Sequence, residues 1–389
     1  MKRVLCLSIM IFAAVSVFAQ NSRVKFVKGN IAEKTATVRE ASEKDAAWVS
    51  ENAIKFCLEN KEILGNDREL DALAVAAILS YTPESVRKLS HEKQNWLTES
   101  FISLFTRFNK SSTVQIAVVS KTVALKDTVE PAPFTALLNS YLKTVEVKSA
   151  DSGVFKACVN ALETIGNNES FKILYSFLND NSYSYYKNEI EKTAVALIPL
   201  AMDELLLVIK GSDMAKMASV FELVQKNSQI SQKNVCEVSE KVLSESILIA
   251  DNSSFSAGDL KLQLEALSIL AENKWTRASD TALSFFAFAK NAYEKHNIND
   301  EQFKTVINSL RYIAPIDAVN PLISYLEELN NKMERGENVS SEISLVVINT
   351  LGAIGDKSAF DSLLSVTYLN YEESVLTAAR DALSGLRWQ

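Results

Sequence analysis

The side chains best suited to acid–base or metal chemistry are few and widely separated. The two histidines of the chain, His91 and His296, lie more than 200 positions apart. The sequence has no His-Glu-x-x-His zinc motif, Cys-x-x-Cys pair, calcium loop or Gly-x-Ser-x-Gly elbow, each of which brings reactive groups together. Adjacent carboxylates, as in Glu327-Glu328 and Glu372-Glu373, diverge around a helix, so we interpret them as solvated surface. We therefore predict that the protein is not an enzyme and has no catalytic, metal-binding or cofactor-binding residues.

The cysteines do not suggest a reactive or disulfide-bonded site. Beyond Cys6, which lies in the apolar N-terminal stretch, the chain has Cys57, Cys158 and Cys236. An odd number at scattered spacings argues against a disulfide framework. Each of the three has apolar neighbours and no histidine beside it, so we expect small buried core residues.

A group of tyrosines is the strongest candidate for a binding surface. The segment NDNSYSYYKNEIEK places Tyr183, Tyr185 and Tyr186 within four positions, between two predicted helices. Tyrosine gives a large, stiff contact area with a polar tip, and it is enriched where proteins meet. The alternative is that the rings fill the joint between helices by packing on Phe171, Phe177 or the next helix. Protein binding requires at least two of the three rings to be exposed.

The N-terminus has the features of an export signal. Two basic residues precede the apolar run Val4–Val15, and the tripeptide Val17-Phe18-Ala19 follows before a possible cut. The apolar run is too short to span a membrane. We predict that residues 1–19 are a signal peptide removed before Gln20, which makes the protein periplasmic or secreted.

The charge of the remaining chain excludes some partners. Removal of Lys2 and Arg3 with the signal peptide leaves 39 basic and 48 acidic residues, a net charge of −9. Binding to nucleic acid phosphates requires clustered lysine and arginine, so a nucleic acid partner is not expected. No later stretch reaches 18 uninterrupted apolar residues, so no membrane span is expected either. A protein partner is the remaining expectation.

Helical patterns cover nearly all of the chain after its first segment. Residues 20–42 are polar with little periodicity, and we interpret them as an N-terminal arm. From residue 43 onward, apolar residues recur at helical spacing, most clearly over residues 95–108. The 10 glycines and 6 prolines fall mostly between these periodic segments. The sequence therefore predicts an all-α fold of 18 to 20 helices.

An internal repeat organises these helices. The stretch from residue 346 to 386 contains an apolar helix, the break Leu351-Gly352-Ala353-Ile354-Gly355-Asp356, and a second apolar helix. Two further segments match it without gaps, ALETIGNNESFKIL and SLRYIAPIDAVNPL, in which Leu162 and Leu310 take the place of Leu351. Leu310 and Leu351 are 41 positions apart, which is typical of repeats built from two helices. Gly355 suits a helix C-terminus in the left-handed conformation.

This motif resembles that of the HEAT repeat family, in the short bacterial variety also seen in phycobilin-lyase-like proteins. The resemblance implies an α-solenoid over residues 43–389, a superhelical stack of antiparallel helix pairs. We expect the two helices within 341–370 to form one such pair. Because the family presents protein-binding surfaces, the resemblance also implies a scaffold or adaptor that binds another protein in the cell envelope.

Two other functions remain open at this stage. Exported all-α chains of this length also form α/α toroids, which cleave glycosides with two carboxylates across a cleft. Such clefts usually need aromatic platforms for sugar rings, but tryptophan is limited to Trp48, Trp96, Trp275 and Trp388, which argues against this alternative. A purely structural spacer in an envelope assembly is the other alternative.

Overall fold

The computed structural model describes residues 22–228, 230–250 and 257–387. The predicted signal peptide, residues 1–19, lies outside these ranges. Within them the chain forms 21 α-helices, four short 3₁₀ helices and no β-strand, so the all-α prediction is confirmed. None of the helices in these ranges combines the length and the apolar character that a membrane span requires.

The chain divides into two compact units, an N-terminal unit that ends at Ala201 and a C-terminal unit that begins at Met202. The described part of the N-terminal unit has eleven α-helices: α1 (Ser22–Lys28), α2 (Ile31–Glu40), α3 (Glu43–Leu64), α4 (Arg68–Ser80), α5 (Pro83–Arg87), α6 (His91–Arg107), α7 (Ser112–Ala124), α8 (Ala132–Thr144), α9 (Ser152–Ile165), α10 (Asn168–Leu178) and α11 (Lys187–Leu197). The described part of the C-terminal unit has ten: α12 (Met202–Lys210), α13 (Met214–Gln225), α14 (Gln232–Ala250), α15 (Ala257–Glu272), α16 (Ser279–Glu294), α17 (Asp300–Ile313), α18 (Val319–Glu334), α19 (Ser341–Ile354), α20 (Phe360–Val366) and α21 (Glu373–Ser384).

The helices of the N-terminal unit pack in two layers. Helices α3, α6, α8 and α10 follow one another in the first layer, and α2, α4, α7, α9 and α11 follow one another in the second. Each first-layer helix packs against the second-layer helix that comes after it in the chain. The loops joining these partners all lie at one edge of the unit, which we call its loop edge. The short α1 packs on α2 and α3.

The C-terminal unit repeats this arrangement. Helices α14, α16, α18 and α20 form its first layer, and α15, α17, α19 and α21 form its second. Hydrogen bonds join equivalent places in successive pairs, for example Lys290 to Glu328 (2.6 Å) and Lys304 to Glu342 (2.6 Å). The residues in these two bonds are 38 positions apart, close to the repeat length expected from the motif. Neighbouring pairs are therefore held in register by polar contacts as well as by the core.

From residue 22 to residue 40, the segment predicted to be an arm contains the packed helices α1 and α2, which corrects the interpretation over this range. Asn30 caps α2 through a hydrogen bond from the Glu33 amide (2.8 Å), and the Glu33 carboxylate accepts from the Asn30 amide (2.9 Å). Phe26 is buried edge-on against Trp48. The Lys34 ammonium is also buried, and it donates to carbonyls at the end of α1, including that of Phe26 (2.6 Å). Burial lowers the pKa of Lys34.

The repeat motif fixes a tight crossing between two second-layer helices. Leu351, like its counterparts Leu162 and Leu310, is buried. Gly355 has a φ of 75° and ends α19 in the left-handed conformation, as predicted. A Cβ on Gly352 would lie 2.8 Å from the Cβ of Ala382, so glycine allows α19 and α21 to approach closely.

The position of the motif differs from the expectation. Helix α19 packs chiefly against α17, α18 and α21, whereas α20 packs against α18 and α21. The helices within 341–370 therefore belong to different pairs, and the glycine turn between them marks the boundary between pairs. The same holds for the turn between α9 and α10 and for the turn between α17 and α18.

Candidate functional site

The three predicted binding tyrosines lie at the loop edge of the N-terminal unit, between α10 and α11. They belong to a 3₁₀ helix, Asn181–Tyr186, which is capped by Asp180. The Asp180 carboxylate accepts a hydrogen bond from the backbone amide of Ser182 (2.8 Å). A 3₁₀ helix has three residues per turn, so consecutive side chains point about 120° apart. Tyr183 and Tyr186, three positions apart, therefore point in about the same direction, whereas Tyr185 points away from them.

Two of the rings pack into the joint between helices. Tyr186 is 6% exposed, and its ring centre lies 4.4 Å from that of Phe155. Tyr183 is half-buried and stacks on Phe177 at 3.9 Å. Burial, with a smaller contribution from Asp180, raises the pKa of Tyr183. These contacts match the alternative in which the rings fill the joint.

The third ring is open to solvent and belongs to a charged group. Tyr185 is 71% exposed, and the Lys156 ammonium lies 5.0 Å from the centre of its ring. The same ammonium forms an ion pair with Glu189 (2.6 Å). This contact raises the pKa of Lys156 and lowers that of Glu189, so both groups stay charged near neutral pH. The ring, the cation and the carboxylate come from three elements: the 3₁₀ helix, α9 and α11.

A cleft of about 380 Å³ lies at the same loop edge. Its walls include Phe105, Tyr141 and Asp151, and the rings of Phe105 and Tyr141 meet edge-on at 5.4 Å. Burial, with smaller effects from Cys158, Asp151 and Tyr186, raises the pKa of Tyr141 to about 12. Its phenol is therefore neutral near physiological pH and can donate or accept a hydrogen bond.

The structure thus separates the tyrosines that the sequence grouped together. One ring is substantially exposed, where the binding hypothesis required two, and the hypothesis is narrowed to Tyr185. Lys156 and Glu189 were not among the residues predicted from the sequence. A signal for them exists, because they occupy neighbouring positions on successive second-layer helices, 33 residues apart, and carry opposite charges. Aligning successive helix pairs would reveal such cross-pair contacts.

The groups considered for chemistry have ordinary structural environments. Cys57, Cys158 and Cys236 are buried free thiols, as predicted. Burial, together with Asp71 and against an opposite effect of Lys61, raises the pKa of Cys57 to about 12. Among the residues described, no three histidine, cysteine or acidic side chains are grouped so as to hold a metal ion.

The adjacent carboxylates of α18 diverge, which confirms their interpretation. Glu327 accepts a hydrogen bond from Ser362 of α20 (2.9 Å). Glu328 forms an ion pair with Lys290 of α16 (2.6 Å). The two side chains thus reach helices on opposite sides of α18 and link successive pairs.

Comparison of the sequence with models of protein families and with curated proteins gives no match. The residues of the repeat, the layered helices and the loop edge therefore carry the information about function.

Proposed function

We propose that the protein is exported and acts as a non-catalytic scaffold or adaptor of the HEAT type. In this proposal it binds another protein in the cell envelope, through the loop edge of the N-terminal unit around Tyr185. Three features support the proposal: the signal-like N-terminus, the repeat with its HEAT-like motif, and the layers of helix pairs that hold the loop edge in place.

The observation that carries the proposal is the environment of Tyr185. A large aromatic ring at 71% exposure makes few contacts that stabilise its own fold. The ring is nevertheless held in place, because Lys156 lies over it and is itself fixed by Glu189. A stiff, exposed aromatic residue beside fixed charges is typical of residues that contribute most to protein–protein binding.

Replacement of Tyr185 tests this proposal. We expect Tyr185→Ala to reduce recovery of the partner in co-purification from the native envelope by about tenfold or more, as for residues that dominate an interface. The same change should leave the melting temperature within about 2 °C of the wild-type value, because an exposed ring contributes little to folding stability.

Tyr368→Ala provides a matched control. Tyr368 is 81% exposed and lies in the C-terminal unit, so this variant removes an equally accessible tyrosine elsewhere. Partner recovery should be unchanged with Tyr368→Ala. Equal recovery with wild type and Tyr185→Ala would exclude Tyr185 from the interface.

A further inference from the structure

A second cleft, of about 730 Å³, lies in the C-terminal unit between the loop joining α16 to α17 and the loop joining α18 to α19. Its apolar lining includes the buried side chains of Ile298, Leu329 and Ile343. Aromatic rings form another part of the lining. Tyr293 stacks on Phe303 at 4.8 Å, and Phe303 in turn meets Tyr325 edge-on at 5.7 Å. We call this space the tyrosine cleft.

Tyr325 is a buried residue whose polar atom lacks a partner. Its side chain lines the tyrosine cleft and is 3% exposed. The ammonium of Lys290 is paired with Glu328 and lies 5.1 Å from the centre of the Tyr325 ring. It donates no hydrogen bond to the Tyr325 hydroxyl. No hydrogen bond joins the hydroxyl to any residue that the structure describes. The residue lines the cleft, so the hydroxyl is free to bond to a group that enters it.

Three carboxylates lie near the phenol: Glu328, which is paired with Lys290, and Asp300 and Glu294, which have no cationic partner among the described residues. Asp300 accepts hydrogen bonds from the hydroxyls of Tyr293 (3.0 Å) and Ser340 (2.8 Å), which are neutral donors. Glu294 forms no ion pair with the described part of the chain. Burial raises the pKa of Tyr325, and Tyr293 and the carboxylates of Glu294, Glu328 and Asp300 raise it further. The phenol therefore lies in a negative field.

One cation also lines the cleft. Lys332 is half-buried and has no ion pair within the described ranges. Its positive charge opposes that of the carboxylates at one part of the lining. On a larger scale the C-terminal unit is acidic, with 26 acidic and 17 basic residues from Met202 onward, which favours the approach of a basic partner.

We propose that the tyrosine cleft binds a lysine or arginine side chain from an exposed segment of a partner protein. The Tyr325 hydroxyl accepts a hydrogen bond from the incoming cation, and Glu294 and Asp300 supply the opposite charge. The ring of Tyr293 offers a surface for the cation, and the apolar lining receives its methylene stem. This proposal concerns the C-terminal unit and does not depend on binding at Tyr185.

A defined peptide can test the proposal with the full-length protein. The probe is a fluorescent decapeptide of alternating lysine and serine, titrated at low ionic strength and followed by anisotropy. The matched probe carries acetylated lysines, which keep the stem but lose the charge. We expect the lysine peptide to bind and the acetylated peptide to bind at least about fivefold more weakly.

Variants of the cleft should change affinity in opposite directions. Glu294→Gln should weaken binding of the lysine peptide about three- to fivefold, because it removes an attractive charge. Lys332→Gln should strengthen binding by a similar factor, because it removes a repulsive one. Tyr325→Phe keeps the ring and should weaken binding through loss of the acceptor. A variant that merely failed to fold would not bind more tightly, so the gain with Lys332→Gln separates the proposal from misfolding.

A second acidic residue controls for general attraction to the acidic unit. Asp381→Asn removes the same charge from α21, which does not line the cleft, and should leave affinity almost unchanged. Equal effects of Asp381→Asn and Glu294→Gln would overturn the proposal, because binding would then follow net charge. The proposal would also be overturned if the acetylated peptide bound with the same affinity as the lysine peptide. Neither outcome bears on the test of Tyr185.

Discussion

Gln263 in α15 is 0% exposed, and neither atom of its side-chain amide has a hydrogen-bond partner among the described residues. Gln115 in α7 is also buried, but its amide donates to the Phe105 carbonyl (3.2 Å). The two residues therefore have the same side-chain amide, but only the amide of Gln115 has a hydrogen-bond partner. An unpaired buried amide loses its hydration without compensation, which costs free energy of folding.

Replacement of each glutamine by methionine, which has a similar shape, measures this difference. We expect Gln263→Met to raise the free energy of unfolding by about 1–3 kcal/mol, because the desolvation cost disappears. Gln115→Met should lower it by a similar amount, because the Phe105 carbonyl is left unpaired. Urea unfolding of both variants measures the effects. If both variants were destabilised equally, packing rather than hydrogen bonding would control the two positions.

Tyr185 and Tyr186 illustrate what the sequence could reveal of the site. Both lie in a polar segment between two predicted helices, and the sequence left binding and packing on Phe177 as alternatives. Their separation into one exposed and one buried ring depends on the short 3₁₀ helix. Six residues are too few to show a hydrophobic period, so the direction of each ring could not be predicted from the residues alone.

At the scale of helices, the motif positions allow a matched test of how far damage spreads. Leu351→Ala and Leu162→Ala remove equivalent buried side chains, one in each unit. Each change should lower stability by about 2–5 kcal/mol, the usual cost of truncating a buried leucine. Because each helix pair contacts mainly its neighbours, the loss should be local.

Hydrogen exchange distinguishes local from global damage. With Leu351→Ala, faster exchange should appear in α17, α19 and α21, which pack together. With Leu162→Ala it should appear in α7, α9 and α11 instead. Faster exchange along the whole chain in either variant would contradict coupling between neighbouring pairs.

Helix prediction succeeded where the apolar period was strong and failed at α1 and α2. The helices beside the motif carry regular apolar faces, so their existence and the glycine turn followed from the residues. Helix α2 instead buries Lys34, Thr35 and Thr37, which a hydrophobic pattern counts as exposed. Its stability comes from caps and from hydrogen bonds to α1, contacts that depend on the folded chain.

At the scale of the whole molecule, charge is divided unevenly. Residues 22–201 contain 22 basic and 22 acidic side chains, whereas residues 202–389 contain 17 and 26. The overall net charge conceals this division. The boundary at Ala201 has no long polar linker to mark it, because α11 is followed at once by the 3₁₀ turn Ile198–Leu200 and then by α12. The division of the chain into two units could therefore be recognised only from the packing of the helices.

Export can be tested on the whole chain. Mass spectrometry of the protein recovered from the periplasm or medium should show Gln20 as the first residue, with or without cyclisation to pyroglutamate. The reason is the order of basic residues, apolar run and small residue at the N-terminus. Recovery of the intact chain beginning at Met1 in the cytoplasm would contradict export.

The glycine turns have a consequence for how such a gene can change in length. Each motif turn lies between helix pairs, and the coding segment from the α17–α18 turn to the α19–α20 turn specifies one complete pair. Recombination between two turn-coding segments would therefore add or delete a whole pair and leave every remaining helix beside a partner of the same kind. Recombination in the middle of a pair would instead leave an apolar helix face without a partner and exposed to solvent. The Leu-Gly-Ala-Ile-Gly-Asp sequence at Leu351–Asp356 is thus a point at which the gene can be cut and joined with least harm to the fold.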